Sequence, residues 1–195
     1  MSGAMSLPAA LRGPWRPKPV AWDDELGLEV FADLDPHDWA EAERMRGQTV
    51  SSAGLWADWR AAAGIRIVDL VFLASHRRGR APFAVFALAN TGIAGVAEAA
   101  LLTRVAVDWR REIAMMAAGL REAVPGFMLR HGIRRIEARS WSGHPSGSRL
   151  LEACGLRHEV RLAGFGSTGG LQMDQHAIVA PFEHPTTEET SHVHG

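Results

Sequence analysis

Tyrosine is absent from this 195-residue chain, and Cys154 is its single cysteine. The first absence removes the phenol hydroxyl as a candidate proton donor. The second excludes an intramolecular disulfide and a thiolate zinc centre, and points to a reducing compartment such as the cytoplasm. Net charge is also lacking. Lys and Arg total 21 against 22 Asp and Glu, leaving −1, so no overall field draws the chain to nucleic acid or anionic lipid. Lys18 is the only lysine. No apolar stretch approaches the ~20 residues of a membrane span. The longest uncharged run, Pro82 to Ala97, is broken by Asn90, Gly92 and Gly95 and reads as a hairpin. The opening MSGAMSLPAALRG has neither the basic segment nor the apolar core of a leader.

Hydrophobic residues make up 47% of the chain and charged residues 22%, enough apolar material for one globular domain, with or without tails, and too little length for two domains with full-sized cores. Pro8, Pro14, Pro17 and Pro19 with little periodicity mark residues 1–24 as a flexible arm, and the polar residues 181–195 read as a flexible tail. The domain is expected over 25–180. Leu28 to Leu34 (LEVFADL) is a strand candidate. Asp35-Pro36 supplies an N-cap and a first-turn proline for a helix through Trp39, Ala42 and Met45. A second helix fits Ser52 to Ala63. Ile65 to Ala74, Pro82 to Ala89 and Val96 to Val107 form an antiparallel meander. From Asp108 to about His131 the stripe Ile113, Met116, Leu120, Val124, Phe127 predicts the longest helix, kinked at Pro125 and stopped at Gly132. A strand over Ile133 to Ser140, a short helix over Pro145 to Cys154, and a hairpin of Leu156 to Phe165 with Leu171 to Val179 complete the order βααβββαβαββ. One strand–helix–strand crossover among antiparallel strands indicates an α+β domain of three layers.

That order, with HPSGSRLLEACGLRHE at 144–159, resembles the GNAT superfamily of acyl-CoA-dependent N-acyltransferases over roughly Leu28 to Val179. His144 stands where the family has an asparagine, Leu150 and Leu151 face the sheet, and Gly155-Leu156 replaces a Gly-Phe pair. The resemblance implies a GNAT-like three-layer fold, a mixed and mostly antiparallel sheet with helices on both faces, and acetyl-CoA or another acyl-CoA as cofactor. It further implies an amine acceptor, small molecule or protein; the oligomeric state is left open, with a homodimer or a virion assembly as the candidate associations. The family's Q/R-x-x-G-x-G/A turn offers backbone amides to the cofactor diphosphate. Alignment puts Arg110 on its first position and Ile113 and Met115 on its two glycines, a departure from the pattern. The implied cofactor residues are Val105, Val107, Arg110, Arg111 and Ala114, with guanidinium groups standing in for the glycine cradle. The plainer alternative makes Arg110 and Arg111 solvated first-turn arginines.

Direct transfer to an amine needs a base and a proton for the leaving thiolate. The resemblance makes Glu98, amid AEAALL, the candidate base. The family's thiolate-protonating tyrosine aligns with Leu151, so His144, titrating near neutrality, is the candidate acid. Each has a plainer alternative: Glu98 on an exposed strand turn, His144 in a helix-entry loop. Asp174 and His176 share a strand face that could contribute to a metal site but reads better as a polar surface. Cys154 reads as packed. More loosely, RRIEARS…GHPSGSRLLE resembles GNAT-like proteins encoded in phage and prophage head regions. That similarity implies the rival reading, a catalytically silent, virion-associated assembly protein.

Overall fold

A computed structural model describes residues 17–76, 79–166 and 168–180. The elements are Lys18–Ala21 (β1), Asp24–Ala32 (α1), Pro36–Arg46 (α2), Ser52–Ala61 (α3) followed by a 3-10 turn over Ala62–Ile65, Arg66–His76 (β2), Gly79–Asn90 (β3), Val96–Thr103 (β4), Ala106–His131 (α4), Arg135–Trp141 (β5), Gly147–Ala153 (α5), Arg157–Phe165 (β6) and Leu171–Val179 (β7). The strands form one sheet in the order β1-β2-β3-β4-β5-β7-β6. Among the described residues only β4 and β5 pair in parallel; the other neighbours are antiparallel.

The sheet separates two cores. On one face Val30, Phe31, Leu55 and Trp59 of α1 and α3 pack on Val71, Val85 and Ala87. On the other, Met116, Leu120, Phe127 and Leu151 of α4 and α5 pack on Phe72, Phe83 and Ile136. This is the expected α+β three-layer arrangement, with helices on both faces.

Two local expectations give way. Leu28 to Leu34 is not a strand: its first five residues complete α1, whose cap is Asp23, accepting hydrogen bonds from the N–H groups of Glu25 and Leu26 at 3.0 Å. Gly27, Val30 and Phe31 are buried at helical spacing, a pattern that LEVFADL satisfies as readily as a strand period. The first strand is instead Lys18–Ala21, which pairs with Leu70–Leu73 of β2, so ordered structure begins within the stretch assigned to the amino-terminal arm. Residues 1–16 and the tail at 181–195 lie outside the described residues. The second difference is in α4, where Pro125 sits inside the helix and the non-helical residue is Trp109, at φ −118° and ψ 17°. Gly132 ends α4 in the left-handed conformation at φ 65°, as expected. Among the described residues no helix is long and apolar enough to cross a membrane.

Candidate functional site

The sheet opens beside β4. On one edge β4 pairs with β3 from Ala97 to Thr103. On the other it pairs with β5 only at Val96, Ala97 and Glu98, opposite Arg135, Ile136 and Glu137. Beyond that point the two parallel strands part, and a cleft of about 1430 Å³ passes between them, with walls from both helical layers.

Strands that part leave backbone donors without a ladder, and α2 supplies the acceptors. Asp35 caps α2 through the His37 N–H at 2.9 Å, while its other carboxylate oxygen accepts the Ala106 N–H at 2.9 Å. One turn on, Asp38 accepts the Thr103 N–H at 3.0 Å. One further turn on, Glu41 accepts the Trp141 N–H at 2.8 Å. The spacing i, i+3, i+6 places the three carboxylates along one side of the helix, where they hold the ends of β4 and β5 and the start of α4. Because N–H groups alternate between the two edges of a strand, the outward Thr103 N–H puts the Leu101 N–H on the same open edge.

His144 joins this group from the loop before α5. Its Nδ1 accepts the N–H groups of Ser146 at 3.2 Å and Gly147 at 2.9 Å, capping α5, and its Nε2 lies 3.1 Å from Asp38 Oδ1. Backbone nitrogens only donate, so the neutral ring carries its proton on Nε2 and donates it to Asp38. Burial works against the imidazolium, but Asp38, with Glu41 and Asp35 behind it, more than offsets this and raises the His144 pKa. A second proton on Nδ1 has to displace the α5 cap. Glu41 behaves in the same direction for a different reason. Burial, reinforced by the Asp38 charge, pushes its carboxyl above the ordinary glutamate range, against the Trp141 N–H and His144.

The residues singled out in the sequence distribute as follows. Glu98 lines the cleft where the strands part, half-exposed and 3.4 Å from the Arg139 guanidinium. His144 lines it too, though both ring nitrogens are engaged. Val105 lines the cleft, but its N–H donates to the Asp33 carbonyl at 3.3 Å. Val107 and Arg110 line it at the exposed first turns of α4, together with Ile113. Arg111 and Ala114 are exposed and do not line it. The sequence marks Asp35 only as the cap of α2 and assigns Asp38 and Glu41 no role. Their signal was the acidic period of three in DPHDWAE, on a helix with no buried residues of its own.

Cys154 is buried in the second core and burial pushes its thiol up to about 12, so it is packed and unreactive. Asp174 pairs with Arg161 at 2.7 Å and lies 3.6 Å from His158. Among the described residues no three ligand-type side chains could hold a metal.

Comparison with solved structures places this fold. The chain superposes on a GNAT-family acetyltransferase from Bacillus anthracis with a TM-score of 0.63 and 9% identity, covering 84% of this chain and 95% of that one. A probable GNAT-family acetyltransferase from Chromobacterium violaceum gives 0.60 and 15%, covering 90% and 94%. A GNAT-superfamily phosphinothricin acetyltransferase from Sinorhizobium meliloti, solved in complex with acetyl-CoA, gives 0.58 and 17%, covering 91% and 95%. The fold is that of the GNAT acetyltransferases. No family model matches the sequence, and no curated protein matches it.

Proposed function

We propose that the protein is an acyl-CoA-dependent N-acyltransferase that transfers an acyl group directly to an amine. The observation that carries this reading is the cleft through the sheet where β4 and β5 part after Glu98 and Glu137. A passage open to both helical layers lets an extended thioester enter from the α4–α5 side and an amine from the α1–α3 side, so the reacting atoms meet inside the sheet.

The residues on the α4–α5 side suit the cofactor. Leu101, Ala138, Ile113 and Leu150 give an apolar channel, and Arg110 and Arg149 bring two guanidinium groups to its mouth. Arg110 has no ion-pair partner among the described residues, and Arg149 donates only to the Pro145 carbonyl. These side chains would hold the diphosphate, a task a planar guanidinium performs well. Bound acyl-CoA would supply an activated thioester carbonyl.

The chain's own residues then do the rest. The Leu101 N–H stabilises negative charge on the carbonyl oxygen. Glu41, whose carboxyl burial raises above the ordinary glutamate range and whose Oε2 alone is engaged by Trp141, takes the proton from the attacking amine. Glu98 holds the ammonium as it enters. His144 acts as a positioning residue, fixing the Asp38 carboxylate beside Glu41. With no tyrosine in the chain, the leaving sulfur takes its proton from water. Cys154, the one cysteine, supports a reducing setting such as the cytoplasm.

One feature favours the rival reading, a catalytically silent GNAT fold used in assembly. Asp35 already occupies the Ala106 amide at the start of α4, and Ile113 and Met115 stand at the family's glycine positions. Calorimetry separates the two. Binding of acetyl-CoA at micromolar concentration, weakened about tenfold by Arg110→Ala, supports transfer. No heat at millimolar acetyl-CoA overturns it.

A further inference from the structure

The α1–α3 arm of the cleft differs from the α4–α5 arm in both charge and polarity, and the difference specifies an acceptor. Its outer walls are apolar: Met45, Leu55, Trp59 and Ile65, over a floor kept low by Ala87 and Ala100. Three arginines reach it and each is already matched. Arg46 is paired with Asp58 at 2.6 Å, Arg66 with Asp69 at 2.5 Å and Arg139 with Glu98 at 3.4 Å. At the inner end, where the strands part, Asp38 and Glu41 receive only backbone N–H groups and the Nε2–H of His144. Among the described residues, therefore, the arm has two carboxyl groups at its inner end that no arginine meets, an apolar middle and no unpaired arginine along it.

We infer that the acceptor is a primary amine carried on a compact apolar or aromatic body, with one positive charge and no anionic group. This rests on the reading of the α1–α3 side as the acceptor side. A carboxylate or phosphate on the acceptor would lose its hydration and find no guanidinium free to replace it. A long polyamine would leave its distal ammonium groups among Met45, Leu55 and Ile65, where the nearby carboxylates, Asp58 and Asp69, are already paired with Arg46 and Arg66. An aryl-alkyl monoamine satisfies both ends: its ring packs on Met45 and Ile65, which are exposed to the cleft, and its ammonium meets the inner carboxylates.

The test uses the full chain and three probes: 2-phenylethylamine, 4-(2-aminoethyl)benzoate and spermidine. Binding is followed by tryptophan fluorescence and thermal shift, without and with acetyl-CoA, and turnover by thiol release. The expected result is a dissociation constant for phenylethylamine at least tenfold below those of the other two. Ile65→Lys, at a position 55% exposed and so tolerant of charge, adds the missing cation. It should weaken phenylethylamine and strengthen the aminobenzoate, reversing the order. Equal or tighter binding of spermidine or the aminobenzoate by the unaltered protein overturns the inference, as does absence of binding by all three. Selective amine binding with no acetyl-CoA binding would instead sink the transferase reading and leave the amine site standing. Turnover with the opposite selectivity would do the reverse.

Discussion

The two edges of β4 show how one strand can serve both stability and chemistry. Towards β3 it is paired from Ala97 to Thr103, and the neighbouring strand buries Phe83, Val85, Ala87 and Leu88. Towards β5 it is paired only as far as Glu98, and the rest of that edge borders a cleft whose walls carry Glu41, Glu98, Arg110 and His144. The closed edge gains from apolar burial and a continuous ladder. The open edge gives these up and is held by side chains from α2, so the groups that keep the sheet open are the groups that line the cleft. Stability and function can therefore be perturbed separately.

The sharpest way to break the comparison is on the closed side. Phe83 is fully buried between Phe72 and the stacked Trp109 ring. Phe83→Ala should cost about 3–5 kcal/mol in denaturant unfolding, and a loss below about 1 kcal/mol would show that this half is not the tightly packed one. On the open side the expected effect falls on turnover. Glu41→Gln should lower it by about 10²–10⁴-fold while leaving the protein as stable as before at neutral pH, or more so. The sign follows from the raised carboxyl: folding favours its protonated form, so the unaltered chain loses stability as pH rises from the ordinary glutamate value of 4.5 through the folded value. The advantage of the variant should grow over that same window. Unchanged turnover would remove Glu41 from the mechanism and return the role to Glu98, for which Glu98→Gln is the matching measurement.

Asp35→Ala should cost about 1–2 kcal/mol, the range for losing an N-cap, because one carboxylate caps α2 and ties it to α4. Equal stability by thermal unfolding would show that water replaces both bonds. The smallest effect lies away from both edges. Arg161 holds the Asp174 carboxyl below its ordinary range, so this pair adds stability above the unfolded carboxylate pKa and loses it as pH falls through the folded value. Asp174→Asn should flatten the acid limb of the stability curve without altering turnover. An unchanged acid limb would show that the half-exposed Arg161 is screened.

Where local sequence pattern and tertiary structure differ, the reasons are physical. LEVFADL carries apolar residues that fit either period, and the Asp23 cap decided for a helix. Pro125 is a poor helix residue by itself, yet α4 runs through it. The break falls at Trp109, where the ring must stack on Phe83 at 5.6 Å. Val105 lines the cleft, but its amide is claimed by the Asp33 carbonyl, a contact between segments 72 residues apart that no local pattern could reveal.

Strand and helix periodicities, the Asp35-Pro36 start of α2, the Gly132 stop and the lack of tyrosine, spare thiols and net charge are local properties, and the chain alone determined them. They were sufficient for a three-layer α+β fold and for the neighbourhood of the cleft. Only tertiary structure decided that β4 and β5 separate after Glu98, that α2 caps the separated ends, and that His144 is occupied at both nitrogens. Each of these depends on which donor, acceptor or charge is brought near from a distant part of the chain, and burial and proton affinity have no value until that neighbour is in place.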